Sequence, residues 1–83
     1  MQKVLVIDDD RGFRTTLAAA LRQAGFETIE AENGRAGVRL ATTYLPDLIL
    51  SDIQMDGFDG FAALAAIRYH RLTSTIPFIL MTG

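Results

Sequence analysis

The sequence predicts an α/β protein built on a parallel sheet, and three observations support this prediction. Short aliphatic runs of strand length alternate with longer segments whose apolar residues recur at helical spacing. The order along the chain is strand, helix, strand, helix, strand, helix, strand, and the links are short. Strands separated by helices are expected to pair in parallel through right-handed crossovers. No repeat or linker is visible, so residues 1–83 are predicted to form one domain.

The first strand and helix follow from the amino-terminal third of the sequence. Lys3 to Ile7 is a continuous aliphatic run, which is typical of a strand buried on both faces. From Arg11 the apolar period becomes helical, and it predicts an inner face made of Phe13, Leu17, Leu21 and Ala24. Gly25 then stands where a left-handed C-cap belongs.

The middle of the chain predicts a second strand and a second helix. Residues 26–31 alternate between apolar or threonine positions and glutamates, which favours a strand. Asn33-Gly34 is a turn signal. A short helix follows and is closed by Pro46, with the apolar positions Val38, Leu40, Ala41, Tyr44 and Leu45.

The last third predicts a strand, a helix and a final strand. Residues 48–50 form an apolar run that ends at Ser51-Asp52. A helix is expected from about Phe61 to Arg71, capped by Asp59, with an inner face of Phe61, Leu64, Ala65 and Ile67. Residues 76–81 predict the fourth strand, with Pro77 near its start, where a missing donor is tolerated.

Composition and charge exclude several classes of protein. The chain is 49% hydrophobic and 22% charged, with a net charge of −2, so it lacks the basic footprint expected of a nucleic-acid-binding protein. It has no cysteine, which excludes disulfides and thiolate metal sites. The apolar run at the amino end is far shorter than a signal sequence or a membrane span. A soluble, cytoplasmic protein without membrane contact is therefore expected.

The acidic residues are concentrated near the predicted strand ends. Six of the ten acids fall in two stretches, Asp8-Asp9-Asp10 and the group of Asp52, Asp56 and Asp59. If the first and third strands are neighbours, their ends lie about 5 Å apart. Carboxylates that converge there repel one another unless a cation neutralises them, and oxygen ligands without His or Cys suit Mg²⁺. Each acid taken alone also fits the role of a turn or cap residue. The spacing therefore leaves two interpretations open, a metal or phosphate site and a set of ordinary turn residues.

Four segments carry a family resemblance: residues 4–10 (VLVIDDD), residues 46–52 (PDLILSD), Met55 with Asp59-Gly60, and residues 76–82 (IPFILMT). Together they resemble the receiver domain of bacterial two-component response regulators. The resemblance covers the whole chain. It implies a flavodoxin-like, doubly wound parallel sheet with strand order 2-1-3-4-5.

The resemblance also implies a role for each matching residue. Asp52 is expected to be the phosphoacceptor, and Thr82 the switch hydroxyl that turns toward the phosphoryl group. Asp9 is similar to a direct Mg²⁺ ligand, Asp8 to one that acts mostly through water, and Gln54 to the residue that offers its backbone carbonyl. The phosphoryl donor is expected to be a histidine kinase or a phosphotransfer protein, and an output domain is expected in a longer parent chain. Such a domain assists its own phosphorylation and dephosphorylation but is not a turnover enzyme.

The sequence departs from the family pattern in two ways. Asp56 stands where the family usually has proline, which predicts tighter or more salt-sensitive cation binding. The residues also stop after the fourth strand, so the family's final helix, lysine-bearing strand and last helix are missing. Phosphorylation is then expected to be slow or absent. The open edge of the fourth strand predicts either a homo-oligomer, as a dimer or a swapped assembly, or that these residues are a fragment of a longer chain.

Three functions follow from these observations. The first is a phosphoacceptor receiver domain, and the alternative is a truncated or degenerate receiver that acts as a non-catalytic interaction or dimerisation module. The third, an Asp-nucleophile phosphatase, is disfavoured because Gln54 stands where such enzymes need a second acid. His70 is the only histidine and is expected to be a solvated surface residue rather than a phosphorylation site.

Overall fold

The computed structural model describes residues 2–82, in which four parallel strands form one sheet. The strands are β1 (Lys3–Ile7), β2 (Glu27–Ala31), β3 (Leu48–Asp52) and β4 (Phe78–Met81). The helices are α1 (Arg11–Gln23), α2 (Gly34–Tyr44) and α3 (Gly60–Tyr69). The spatial order of the strands is β2-β1-β3-β4. The predicted α/β order and flavodoxin-like arrangement are therefore confirmed.

β1 is the central strand, and its apolar run is buried on both faces. Val4, Leu5, Val6 and Ile7 are all at most 1% exposed. Because successive side chains point to opposite faces, Leu5 and Ile7 join the core that includes Ala41 of α2 and Ile67 of α3. Val4 and Val6 point to the other face, which α1 covers. Burial on both faces explains why the sequence of β1 shows no polar alternation.

Each helix begins at a side-chain cap. Asp10 accepts a hydrogen bond from Phe13 N–H at 3.2 Å, Asn33 accepts one from Ala36 N–H at 2.8 Å, and Asp59 accepts one from Ala62 N–H at 2.9 Å. These bonds satisfy amide protons that have no partner within the first turn of a helix. The cap predicted at Asp59 is thus confirmed.

Two left-handed residues end the first two helices. Gly25 has φ of +99° just after α1, which confirms the predicted glycine C-cap. Leu45 has φ of 50° at the end of α2 although it is not a glycine. Pro46 follows it, and a residue before proline is sterically disfavoured in the right-handed helical region, so the helix stops there.

Several details of the sequence prediction were wrong. Phe13 and Phe61, assigned to inner helix faces, are 51% and 57% exposed, and the buried apolar positions of α3 are Ala63 and Ile67. The last helix ends at Tyr69 rather than Arg71. The last strand begins at Phe78, because Pro77 has no N–H to donate, although its carbonyl accepts from Ile49 N–H at 2.9 Å.

Within residues 2–82, no helix has the length and apolar character needed to cross a membrane.

Gly60 gives a test of how tightly α3 is packed against the end of β3. A Cβ atom there would overlap the Asp52 carbonyl oxygen and lie 2.9 Å from Ile53 Cα, and neither backbone atom can move independently. We expect Gly60→Ala to lower the free energy of unfolding by about 1–3 kcal/mol, as overpacked positions do. Urea denaturation monitored by circular dichroism measures the effect.

Gly12, in the first turn of α1, is the matched control for this substitution. A Cβ atom at Gly12 would meet nothing closer than Asp10 Oδ1 at 3.5 Å. Gly12→Ala should therefore raise the free energy of unfolding, by up to about 1 kcal/mol. Equal effects of the two substitutions would contradict the proposed close packing at Gly60.

Candidate metal centre

The register of the central strands brings two acidic segments to one edge of the sheet. β1 and β3 are parallel neighbours, with Val4 opposite Leu48 and Ile7 opposite Ser51. The next residues along each strand are Asp8 and Asp52, so their carboxylates leave the sheet at the same edge. One carboxylate oxygen from each of Asp8, Asp9 and Asp52 lies within 4.8 Å of the others.

The three carboxylates differ in exposure. Asp8 is only 4% exposed, Asp52 is partly buried and Asp9 is exposed. Asp8 Oδ1 accepts a hydrogen bond from Asp10 N–H at 2.9 Å, and Asp10 in turn caps α1. The buried acid is therefore tied to the start of the helix, while the other two acids face solvent.

Burial is the main reason that the pKa of Asp8 is raised above its ordinary value of 3.8. The hydrogen bond from Asp10 N–H opposes this change because it stabilises the carboxylate. The negative charges of Asp52, Asp9 and Asp10 then raise the pKa further. The acidic cluster is consequently unfavourable on its own, and a bound cation would relieve it.

The donor set fits a hard divalent cation. Three carboxylates supply the candidate ligand atoms, and the chain has no cysteine and a single histidine, His70. His70 is exposed at the C-cap of α3, where its Nδ1 accepts a hydrogen bond from Leu72 N–H at 3.2 Å. All-oxygen ligands favour Mg²⁺, Ca²⁺ or Mn²⁺ over softer metals. The cluster of Asp8, Asp9 and Asp52 could therefore bind a metal ion.

The two other residues singled out from the sequence lie beside Asp52. Thr82 follows β4, and with Asp52, Ile53 and Gln54 it lines an open cleft of about 320 Å³. Gln54 is exposed in the loop after β3. The structure thus brings all five predicted site residues to one end of the sheet, and the role given to each of the five stays a prediction.

The loop that follows Asp52 is held against α2. A Cβ atom at Gly34 would lie 2.5 Å from the Phe58 ring, so glycine is needed for this close approach. The Arg35 guanidinium lies over the same ring, 5.0 Å from its centroid. Cation–π contact and close packing together fix the position of the loop.

Sequence reasoning missed one residue that contacts the acidic segment. Arg14 Nη1 donates a hydrogen bond to the Asp8 carbonyl at 2.9 Å, and Arg14 Nε donates one to Glu30 Oε1 at 3.1 Å. A signal was available, because Arg14 precedes Ala18 and Leu21 at helical spacing and so lies on the inner face of α1. An arginine on an inner face needs acceptors, but the sequence does not say which acceptors it finds.

Comparison with known proteins identifies the family to which this fold belongs. The family model of the response regulator receiver domain matches residues 4–83. The chain belongs to this family of two-component signalling domains.

The relatives differ in how much of their length this chain covers. Protein PilH of Pseudomonas aeruginosa is 39% identical over 82 residues, which are 99% of this chain and 68% of PilH. The sporulation initiation phosphotransferase F of Bacillus subtilis is 32% identical, with 99% of this chain and 64% of that protein covered. Chemotaxis protein CheY4 of Vibrio cholerae has a similar structure, with a TM-score of 0.92, 31% identity and coverage of 96% of this chain and 67% of that chain.

Some relatives are much longer than this chain. The match spans 18% of the regulatory protein AtoC of Escherichia coli. It spans 35% of the phosphate regulon transcriptional regulatory protein PhoB of Pseudomonas aeruginosa. The receiver family therefore includes proteins in which this segment is accompanied by further sequence.

The raised pKa of Asp8 predicts a pH-dependent stability in the absence of metal. The folded state holds the Asp8 proton more tightly than the unfolded state does. Asp8 therefore contributes most to the free energy of unfolding below the unfolded pKa near 3.8, and this contribution is lost as pH rises through the folded pKa. Asp8→Asn keeps an acceptor for Asp10 N–H and removes the charge. In EDTA it should raise the free energy of unfolding at pH 7 by about 1 kcal/mol, the scale of one close like-charge repulsion in water.

Urea denaturation at pH 4 and pH 7 measures this difference, and the gain should shrink at the lower pH. Glu27→Gln, at an exposed carboxyl at the start of β2, is the control and should change stability little at either pH. An Asp8→Asn variant that is no more stable than the wild type at pH 7 would contradict the assigned cost of the buried charge.

Proposed function

We propose that this chain accepts a phosphoryl group on Asp52, with Asp8 and Asp9 holding Mg²⁺ beside it. The observation that carries the proposal is the convergence of the three carboxylates at the carboxyl ends of β1 and β3. Buried charges are normally paired with opposite charges or coordinate a metal, whereas the ion pairs within residues 2–82 are Arg14–Glu30 and Arg22–Glu30 and include none of these three acids. Membership of the receiver family supports the same reading.

The chemistry follows from the positions of the acids. An Asp52 carboxylate oxygen forms a bond to phosphorus, and the bond from phosphorus to the imidazole nitrogen of a phosphohistidine breaks. The bonding electron pair stays on that nitrogen, which then takes up a proton. Bound Mg²⁺ would offset negative charge on the phosphoryl oxygens. Partial exposure of Asp52 leaves room for the donor, and Thr82 lies on the same cleft to contact the phosphoryl group.

The proposed partners follow from this chemistry. A histidine kinase or a phosphotransfer protein supplies the phosphoryl group, and a longer parent chain carries an output domain. The domain changes its own phosphorylation state and does not turn over a substrate. Self-association along the β4 edge, where Ile79 is half-exposed, stays a prediction.

Phosphoryl acceptance can be tested with a small phosphodonor and Mg²⁺. Because phosphorylation is expected to be slow, the wild type is incubated for hours before mass spectrometry. It should then show an increase of one phosphoryl group, because the nucleophile and both cation ligands are present. Asp52→Ala should abolish the increase, and omission of Mg²⁺ should reduce it at least tenfold. Glu27→Gln, which alters an exposed carboxyl at the opposite end of the sheet, should be modified like the wild type.

Two results would contradict this proposal. One is a wild-type protein that stays unmodified and shows no spectral change with beryllofluoride and Mg²⁺. The other is modification that persists in Asp52→Ala. Either result favours the alternative function, a non-catalytic interaction or dimerisation module.

Asp56 is expected to strengthen cation binding through its charge. It is exposed in the loop after β3, where it lines a cleft together with Gln54 and Asp59. Asp56→Asn and Asp56→Pro should both weaken Mg²⁺ binding about two- to fivefold at low salt, and the difference should fade above about 0.15 M salt because exposed charges are screened. Calorimetric titration at two salt concentrations measures this, and unchanged affinity in both variants at low salt would show that Asp56 has no such role.

A further inference from the structure

Arg14 lies on the inner side of α1, one turn after the acidic segment, and its side chain is only 13% exposed. Its guanidinium makes two directed bonds, one to the Asp8 carbonyl at 2.9 Å and one to Glu30 Oε1 at 3.1 Å. The planar fork of arginine presents Nε and Nη1 to the two acceptors in a fixed geometry, which the single nitrogen of a lysine ammonium cannot reproduce. Arg14 therefore connects three elements: the end of β1, the start of α1 and the middle of β2.

The bond from Arg14 to the Asp8 carbonyl affects the orientation of the next residue, Asp9. The carbonyl belongs to the same rigid peptide plane as Asp9 N, so a donor that fixes this carbonyl also fixes the direction in which Asp9 leaves the strand. Asp8 N–H donates to the Ala31 carbonyl at 3.1 Å, and Asp8 Oδ1 accepts from Asp10 N–H at 2.9 Å. With Arg14 in place, the N–H, the carbonyl and the carboxylate of Asp8 each have a defined partner.

Glu30 holds Arg14 in position and neutralises its charge. One oxygen of Glu30 accepts from Arg14 Nε, and the other accepts from Arg22 Nη2 at 3.4 Å. Arg22 is 52% exposed, so its ion pair is a surface interaction. Because the charge of Arg14 is already paired, its influence on the acidic cluster comes mainly from geometry.

We propose that Arg14 is a positioning residue for cation binding, acting by fixing the Asp8–Asp9 peptide so that the two carboxylates converge with Asp52. The proposal rests on the Mg²⁺-dependent phosphoryl acceptance described above. It assigns to Arg14 no contact with the cation or with the phosphoryl group. Without the bond from Arg14 to the Asp8 carbonyl, Asp8 and Asp9 are still present, but the direction in which Asp9 leaves the strand is no longer fixed.

The test compares Arg14→Met, Arg14→Lys and Arg22→Met. Arg14→Met keeps most of the apolar stem and removes both bonds, and Arg14→Lys keeps the charge without the fork. Arg22→Met is the matched control, because it removes the other partner of Glu30, and within residues 2–82 the only side-chain partner of Arg22 is Glu30. The measurements are the Mg²⁺ dissociation constant by calorimetric titration, and amide hydrogen exchange at Asp10 and Phe13 in EDTA.

Both Arg14 variants should bind Mg²⁺ about tenfold more weakly, the lower end of the loss seen when partners that orient metal ligands are removed. Arg22→Met should stay within about twofold of the wild type. Exchange at Asp10 should be faster in the Arg14 variants and unchanged in Arg22→Met. A role limited to overall stability would lower the free energy of unfolding without changing the affinity of the folded protein.

The inference is overturned if Arg14→Met keeps the wild-type affinity, or if Arg22→Met loses as much. If Arg14→Met does not fold, the Mg²⁺ affinity of Arg14→Lys is compared with that of the wild type and of Arg22→Met, and the same two outcomes overturn the inference. A wild-type protein that binds no Mg²⁺ contradicts the proposed function instead. In that case amide exchange at Asp10 in EDTA decides the inference, because it reports the fixed turn without any cation.

Discussion

The candidate site depends on one constraint, the parallel register between β1 and β3. Ile7 pairs with Ser51, and so the next residue of each strand, Asp8 and Asp52, reaches the same edge of the sheet. A shift of one residue would turn every side chain of a strand to the opposite face. The buried side chains of β1 prevent such a shift, since Leu5 and Ile7 fill the core under α2 and α3 while Val6 lies under α1. The hydrophobic core therefore specifies the position of the carboxylates.

The same core holds the carboxylates where they are electrostatically unfavourable. Burial and the neighbouring acids both raise the pKa of Asp8, and the single bond from Asp10 N–H offsets this only in part. A protein optimised only for stability would replace such a residue with a neutral one. A bound cation, as proposed above, would turn the mutual repulsion into binding free energy. Under that proposal, the charge at this edge of the sheet serves function rather than folding.

The sequence predicted most of the fold because β1, β3 and β4 contain short, continuous apolar runs, β2 alternates, and each helix begins at a polar cap. β1 and the caps at Asp59 and Gly25 required only local information. The predicted inner faces of α1 and α3 were less accurate. Helical spacing identifies a stripe of apolar residues, but it does not show how much of that stripe the neighbouring elements cover. Phe13 was assigned to a stripe with the partly buried Leu17 and Leu21, and Phe61 to a stripe with the buried Ile67, yet both phenylalanines are about half exposed. The acids of the site were found from strand ends, whereas the bond from Arg14 to a backbone carbonyl has no sequence pattern.

The segments on either side of the site are fixed by residues that carry none of its chemistry. On the β1 side, Arg14 and Glu30 orient the peptide between the first two acids. On the β3 side, the lack of a side chain at Gly60 lets α3 begin directly against the Asp52 carbonyl. The distance between the two groups of carboxylates therefore depends on how α1 packs on β2 and how α3 packs on β3. Under the proposed cation binding, substitutions in those contacts should lower cation affinity although the three acids themselves are unchanged. The reason is that carboxylates that converge on one ion tolerate only small displacements.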